Sequence, residues 1–212
     1  MTRPRWQSGP VRRDYDPAEL GAGLYPLLNS VVVPRPIAWV STRSATGVDN
    51  LAPHSFFTIS SVQPPVVQFT SVGGKDSLRN ALATGEFVVS FCPEELFEQV
   101  NLTGTDFPPD TSEFDAVGLT REPSVRVAPP RVAESPVALE CRVVGTHEFG
   151  GDSTVVFGEV VWISIDERVL RDGRPEVRLL KPLARLGANE WSTIGEISSR
   201  RRVAYRDVRE QR

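Results

Sequence analysis

Short runs of β-branched and aromatic residues, each cut off by proline or glycine, limit most strongly the folds open to this chain. The 18 Pro and 16 Gly are scattered through 212 residues, so turns recur along the whole length. No pattern of strand, long amphipathic helix and strand interrupts them, which argues against a doubly wound parallel sheet. The β signal starts near Leu27 and predicts a strand over residues 31–42. Pro34 and Pro36 confine its first half to an edge or a turn. Further strands are predicted over residues 52–60, 66–72, 86–92 and 154–165. Between 137 and 143, Val137, Leu139, Cys141 and Val143 alternate with Ala138, Glu140 and Arg142, as on a strand with one wet face. Gly-containing turns at 44–50, 150–152 and 171–174 join these runs. Such spacing predicts a barrel or sandwich.

Helical patterning is confined to short pieces. Residues 76–84 have Asp76 in a capping position, Leu78 and Leu82 on one face, and Gly85 as a stop. Residues 93–102 open with Pro93, Glu94 and Glu95, the residue types favoured in a first turn, and carry Leu96 and Val100 as an apolar stripe. Asp16 and Pro17 open a single turn ending near Leu20. Residues 103–113 read as a loop long enough to cover a pocket.

Several chemistries lack candidates. Cys92 and Cys141 each lie in an apolar run, with no zinc or disulfide spacing. His54 and His147 are the only histidines, and no GxSxG occurs, so no metal site or nucleophilic triad suggests itself. The N-terminus lacks a signal-peptide core and no apolar run reaches a membrane-spanning length, which predicts a cytoplasmic protein. Net charge is −3. The tail 198–212 is the exception at net +4, with six Arg against Asp207 and Glu210, and the remainder carries −7. A solvated tail, or one lying over a partner subunit, explains it without nucleic acid. The domain boundaries follow: an arm over 1–20, one barrel domain over 21–197, and the basic tail.

Where side chains cannot carry the chemistry, a bound cofactor can. Residues 69–77 join a strand to a helix start and hold Gly73, Gly74, Lys75 and several hydroxyls. Backbone N–H groups at such a start bind phosphate, and glycines let it approach. The stretch departs from a Walker A loop, because Phe69 replaces the first glycine and Asp76 follows the lysine. A phosphomonoester held by Ser71, Lys75 and Ser77 is the functional reading; a Gly-rich turn before a capped helix is the structural one. Residues 50–57 are equally open. Asn50, His54 and Ser55 supply polar groups for the edge of a flat ring, with Phe56 or Phe57 as its wall, or the stretch is simply a core strand.

Together these segments resemble the flavin reductase-like, FMN-binding split-barrel family. The matching pieces are RPIAWVST (35–42), NLAPHSFF (50–57), PPVVQFT (64–70), KDSLRNALATGEFVVS (75–90), SPVALECRV (135–143), FGEVV (157–161) and RLG (185–187). The resemblance implies a mainly β, Greek-key split β-barrel with a few short helices. It also implies a homodimer, with FMN held noncovalently near the subunit interface. By the same resemblance, Ser41 and Thr42 lie at a strand end near the flavin. Asn50, Leu51, Ala52, Pro53, His54 and Ser55 line its ring and ribityl chain, mainly through backbone groups. Ser71, Lys75 and Ser77 hold the phosphate, and Arg185 contacts cofactor or partner subunit, an arginine–carboxylate pair being the structural alternative. Many members have Thr at Ser77 and Tyr soon after RLG, where this chain has Asn189-Glu190-Trp191. The implied activity takes hydride from NAD(P)H and passes electrons through FMN to a flavin or other small-molecule acceptor. No catalytic side chain is singled out. A non-enzymatic electron carrier or flavin store, and a binding module without cofactor, are the alternatives.

Overall fold

The computed structural model describes residues 12–108 and 110–205. Seven strands form the main sheet: β1 (Ala38–Arg43), β2 (Asp49–His54), β3 (Phe57–Val62), β4 (Pro65–Val72), β5 (Glu86–Ser90), β6 (Val137–Glu148) and β7 (Ser153–Ile165). Their spatial order is β2-β1-β5-β6-β7-β4-β3, and every pairing is antiparallel. The neighbours β1–β5 and β7–β4 are distant in sequence, so the connections are Greek-key crossovers.

The two edge strands, β2 and β3, are consecutive in the chain and separated only by Ser55 and Phe56. At about 4.8 Å per strand, a flat sheet of this order would hold them roughly 29 Å apart. Two residues span about 7 Å at most, so the sheet has to curl until its edges meet. Where they do, the His54 ring at the end of β2 lies 4.8 Å from the Phe69 ring of β4. The result is the expected split barrel.

Both faces of β1 are buried, which divides the core in two. Ala38 and Val40 join Val67, Phe69, Phe87, Val89, Cys141 and Val156 inside the barrel. Leu78 and Ala81 of helix α2 (Asp76–Thr84) pack into the same cluster. On the opposite face Trp39 and Leu51 pack against Val100 of α3 (Phe97–Leu102) and Phe114 of α4 (Glu113–Val117). The Trp39 indole N–H donates to Thr103 Oγ1 at 2.8 Å, so this buried ring keeps its hydrogen bond.

The helices depart from the sequence reading in four places. Residues 24–31, read as β from Leu27, form helix α1 (Leu24–Val31). Its i,i+4 side-chain bonds from Asn29 to the Tyr25 carbonyl and from Ser30 to the Pro26 carbonyl hold it against the β propensity of its valine. The cap of α2 is Lys75 in extended conformation, and Asp76 is its first helical residue, ion-paired with Arg79. Leu82 is exposed, because the buried face runs through Leu78 and Ala81, three apart. The predicted helix over 93–102 starts as a 3-10 turn, Glu94–Leu96, before α3. The expected turn after Asp16 is the 3-10 helix Pro17–Glu19, with the Asp16 carboxylate accepting from the Ala18 N–H at 2.9 Å. Residues 1–11 of the arm and 206–212 of the tail lie outside the described residues. Among the described residues no helix is long and apolar enough to cross a membrane.

Curling the sheet brings β5 and β7 close inside the barrel. A Cβ on Gly158 would lie 2.2 Å from the Phe87 ring and 3.0 Å from the Cys141 Cβ. Phe87 is fully buried and has no room to retreat. Gly158→Ala is therefore expected to cost about 1–3 kcal/mol by overpacking, read as a lower urea midpoint. Adding Phe87→Leu should recover part of that loss, and an unchanged midpoint in Gly158→Ala would refute the close approach.

Candidate functional site

A cavity of about 240 Å³ opens where the barrel's edges meet. One wall is the end of β2 and its continuation: Ala52, Pro53, His54, Ser55 and Phe56. Thr70 and Val72 of β4 form the second wall, and the start of α2, with Lys75, Asp76 and Ser77, closes one end. The loop Thr103, Gly104, Thr105, Asp106 and Phe107 covers the cavity, as a loop over these residues was expected to. Asn50 and Glu113 contribute from deeper in the structure.

Alternation along the strands decides which expected residues reach this space. In β4, Thr70 and Val72 face the cavity, so Ser71 between them points away. Its buried hydroxyl donates to the Gly73 carbonyl at 3.1 Å. Leu51 likewise turns its side chain into the outer core. Ser41 and Thr42 are fully buried and do not line the cavity: Ser41 donates to the Pro130 carbonyl, and Thr42 Oγ1 lies 3.4 Å from Asn50 Oδ1. Asn50, Ala52, Pro53, His54, Ser55, Lys75 and Ser77 come together around the cavity. Phe56 lines it, whereas Phe57 faces a neighbouring groove. Arg185 lies in an adjoining cavity and has no carboxylate partner among the described residues. Its guanidinium stacks 4.4 Å over the Trp191 ring.

Glu113 was not legible as a site residue, since it falls at the end of a loop-like stretch with no motif. Its buried carboxylate accepts from the Asn50 amide and the Leu51 N–H, both at 2.8 Å. Burial pushes its pKa up, the two bonds pull it back, and nearby Asp76 pushes it up again. With its amide nitrogen on Glu113, Asn50 turns its oxygen toward Ser77, whose hydroxyl donates to it at 3.0 Å. The floor is thus a fixed polar chain. At the rim the Lys75 ammonium is held by Asp106 at 2.6 Å, and both groups are exposed. The thiols of Cys92 and Cys141 are buried and held above the ordinary cysteine range by desolvation, so neither is a thiolate nucleophile.

His54 is the unusual group. Its Nε2 is buried without a hydrogen-bond partner among the described residues, and its ring lies 4.8 Å from Phe69. Desolvation lowers its pKa from 6.5 to about 4, against an opposing backbone bond at Thr70, with Lys75 adding to the decrease. At neutral pH the imidazole is uncharged. The unfolded chain takes up a proton as pH falls through 6.5, and the folded chain does so only near 4. Stability is therefore full above 6.5 and declines as pH falls toward 4, by up to about 3 kcal/mol for this group. His54→Leu is expected to flatten that part of the stability–pH curve, measured by urea unfolding between pH 7 and 4; an equally steep curve would assign the slope elsewhere.

Residues 30–182 match the model of the flavin reductase like domain. An uncharacterized protein of Aquifex aeolicus is 39% identical over 177 residues, 81% of this chain and 90% of that protein. Nitrilotriacetate monooxygenase component B from Bacillus cereus superposes with a TM-score of 0.85 at 30% identity, covering 90% of this chain and all of that one. The Pseudomonas fluorescens 2-nitrobenzoate 2-nitroreductase superposes with a TM-score of 0.84 at 29% identity, over 92% and 98% of the two chains. The match spans the curled sheet, the cavity and its covering loop, and the chain belongs to the flavin reductase-like domain family.

Proposed function

We propose that this protein is an FMN-binding oxidoreductase that takes electrons from NAD(P)H and passes them through the flavin to a second flavin or another small acceptor. The observation that carries this reading is the cavity at the barrel seam, which joins a helix start and a lysine at one end to an unpartnered neutral imidazole in its wall. The two similar solved structures support it, one named as a monooxygenase component and the other as a nitroreductase.

The residues fit the cofactor by their chemistry. Lys75 and the first N–H groups of α2 suit a phosphomonoester, which favours FMN over the dinucleotide FAD. The phosphate competes there with Asp106, which already holds the ammonium at 2.6 Å. Asp76 does not oppose it strongly, because Arg79 compensates its charge. Pro53 and Phe56 offer apolar contact for a ring, and His54 Nε2 offers a site for a ligand hydrogen bond. Glu113 keeps Asn50 and Ser77 in one orientation, so the polar floor needs no rearrangement to receive a ligand. The 103–107 loop lies over the cavity. When bound, flavin supplies the hydride acceptance and electron transfer that no side chain here offers.

A second copy of the chain completes this reading. Helix α1 buries Asn29 but exposes Tyr25, Leu28 and Val31, next to exposed Val32 and Val33. Ile59 and Val62 of β3 are exposed as well. An apolar surface of that kind is typical of a subunit contact, and we read it as the face of a homodimer. We read the protein as cytoplasmic, which a soluble nicotinamide donor would suit.

The first test is the visible spectrum of the purified protein, followed by anaerobic NADH or NADPH. Flavin bands that bleach with either donor are the expected result. Bands that persist would leave an electron carrier or flavin store fed by another protein, and no flavin uptake after adding FMN would reject the cofactor. Lys75→Met should weaken FMN binding about tenfold, roughly 1.4 kcal/mol, in a fluorescence titration. Asp106→Asn, which removes the competing carboxylate, should tighten it.

A further inference from the structure

Three short segments form a small sheet beside the cavity. Arg35–Pro36 pairs with Ala184–Arg185, which pairs with Trp191–Ser192, all antiparallel. The register sets Arg35 opposite Arg185 and Arg185 opposite Trp191. Directly opposite residues share a face, and like charges placed so destabilise the pairing. Neither arginine has a carboxylate within ion-pair distance among the described residues.

The two cations are used differently. Arg35 is buried, and its guanidinium donates to the carbonyls of Asn29 at 2.5 Å, Val32 at 2.8 Å and Leu186 at 2.7 Å. Those bonds tie α1 and residues 185–187 to the barrel. Arg185 is half-buried and makes one protein hydrogen bond among the described residues, to the Ala188 carbonyl at 3.0 Å. Trp191 lies against one face of its guanidinium at 4.4 Å, which leaves its edge as the remaining polar surface. Burial and the neighbouring Arg35 charge weaken its hold on its proton, as expected of a cation that lacks a counter-charge. It lines a cavity of about 260 Å³ with Ile37, Pro53, Ser55, Asn101 and Trp191. Pro53, Ser55 and Gly104 belong to both this cavity and the larger one.

We infer that Arg185 and Trp191 form an anion-binding subsite for the second substrate, taking its carboxylate or phosphate while the rest of that molecule reaches into the larger cavity. The planar guanidinium fork matches either oxyanion, and stacking on Trp191 fixes its plane before the ligand arrives. The shared wall brings such a ligand to the cavity assigned above to flavin, and only the ligand's identity as a redox substrate rests on that assignment. The charge of the anion offsets the Arg35–Arg185 repulsion, which no carboxylate among the described residues compensates.

The test follows the Trp191 indole N–H resonance, assigned through Trp191→Phe, while benzoate or inorganic pyrophosphate is added at constant ionic strength. It is run with and without FMN. At least one probe should shift the resonance saturably, with affinity falling tenfold or more in Arg185→Gln and less in Arg185→Lys. A response to benzoate assigns the anion to an acidic acceptor, and a response to pyrophosphate assigns it to a nicotinamide dinucleotide. The subsite is overturned if neither probe shifts the resonance or if Arg185→Gln binds as the parent does. It is also overturned if both Arg185 variants lower the unfolding midpoint and lose FMN affinity by the same factor as anion affinity, which would make Arg185 a scaffold residue. Anion binding without FMN uptake would keep the subsite and reject the flavin reading.

Discussion

Between His54 at the end of β2 and Phe57 at the start of β3 only Ser55 and Phe56 intervene, yet these strands occupy opposite edges of a seven-stranded sheet. That short tether forces the sheet to curl, and the curl determines most of what surrounds it. It encloses Phe69, Phe87 and Val156 as an interior. It requires the missing side chain at Gly158, where β7 passes against the Phe87 ring. It also leaves a seam, since the two edge strands do not pair with each other and the end of β2 meets β4 through side chains, His54 lying 4.8 Å from Phe69. The space beside that seam becomes the cavity. Its location at the residues of the tether is a consequence of closure and not a separate invention.

Buried carboxylates acting as acceptors organise polar groups at two places, Glu113 beside the cavity and Glu140 on the central strand β6. Taking a carboxylate out of water is costly unless donors meet it. Glu113 is met by the Asn50 amide and the Leu51 N–H, and Glu140 by the Val125 and Arg126 N–H groups. In each case the bonds reach across the chain, pinning α4 to β2 and the segment near 125 to β6. These acids are occupied as clamps, and His54 is held neutral. The cavity therefore has well-placed polar atoms but little acid–base capacity of its own, which suits a site where a bound cofactor does the chemistry.

The sequence exposed the barrel because its signal is local: alternation in 137–143, proline and glycine at strand ends, and turns at regular spacing. Helix α1 was hidden because Val31, Val32 and Val33 carry β propensity, while the bonds that hold it, from the Asn29 and Arg35 side chains to backbone carbonyls, leave no pattern in the hydropathy. Residues that line the cavity were legible where they sit in motifs, as with Lys75, Ser77 and His54. Neighbours could not be sorted by face: Ser71 and Leu51 share the motifs of cavity residues yet point the other way, because a one-residue step reverses a strand side chain. Glu113 had no signal, since its role depends on a loop returning 62 residues later to the N–H of Leu51. Arg185 has no carboxylate partner among the described residues and stacks on Trp191, four residues after Gly187.

Charge is distributed unevenly over the joined cavities, and the covering loop lies between the two ends. Lys75 is exposed, already paired with Asp106, and open to screening by salt; Arg185 is half-buried, without a carboxylate partner among the described residues, and screened less. An anion at Lys75 must displace a carboxylate, whereas one at Arg185 fills an empty place, so equal ligand charge gives a larger net electrostatic gain at the second site. Asp106 belongs to the same short loop as Gly104, and Gly104 contributes to both walls. Taking Lys75 from Asp106 releases the ion pair that ties this loop to the start of α2.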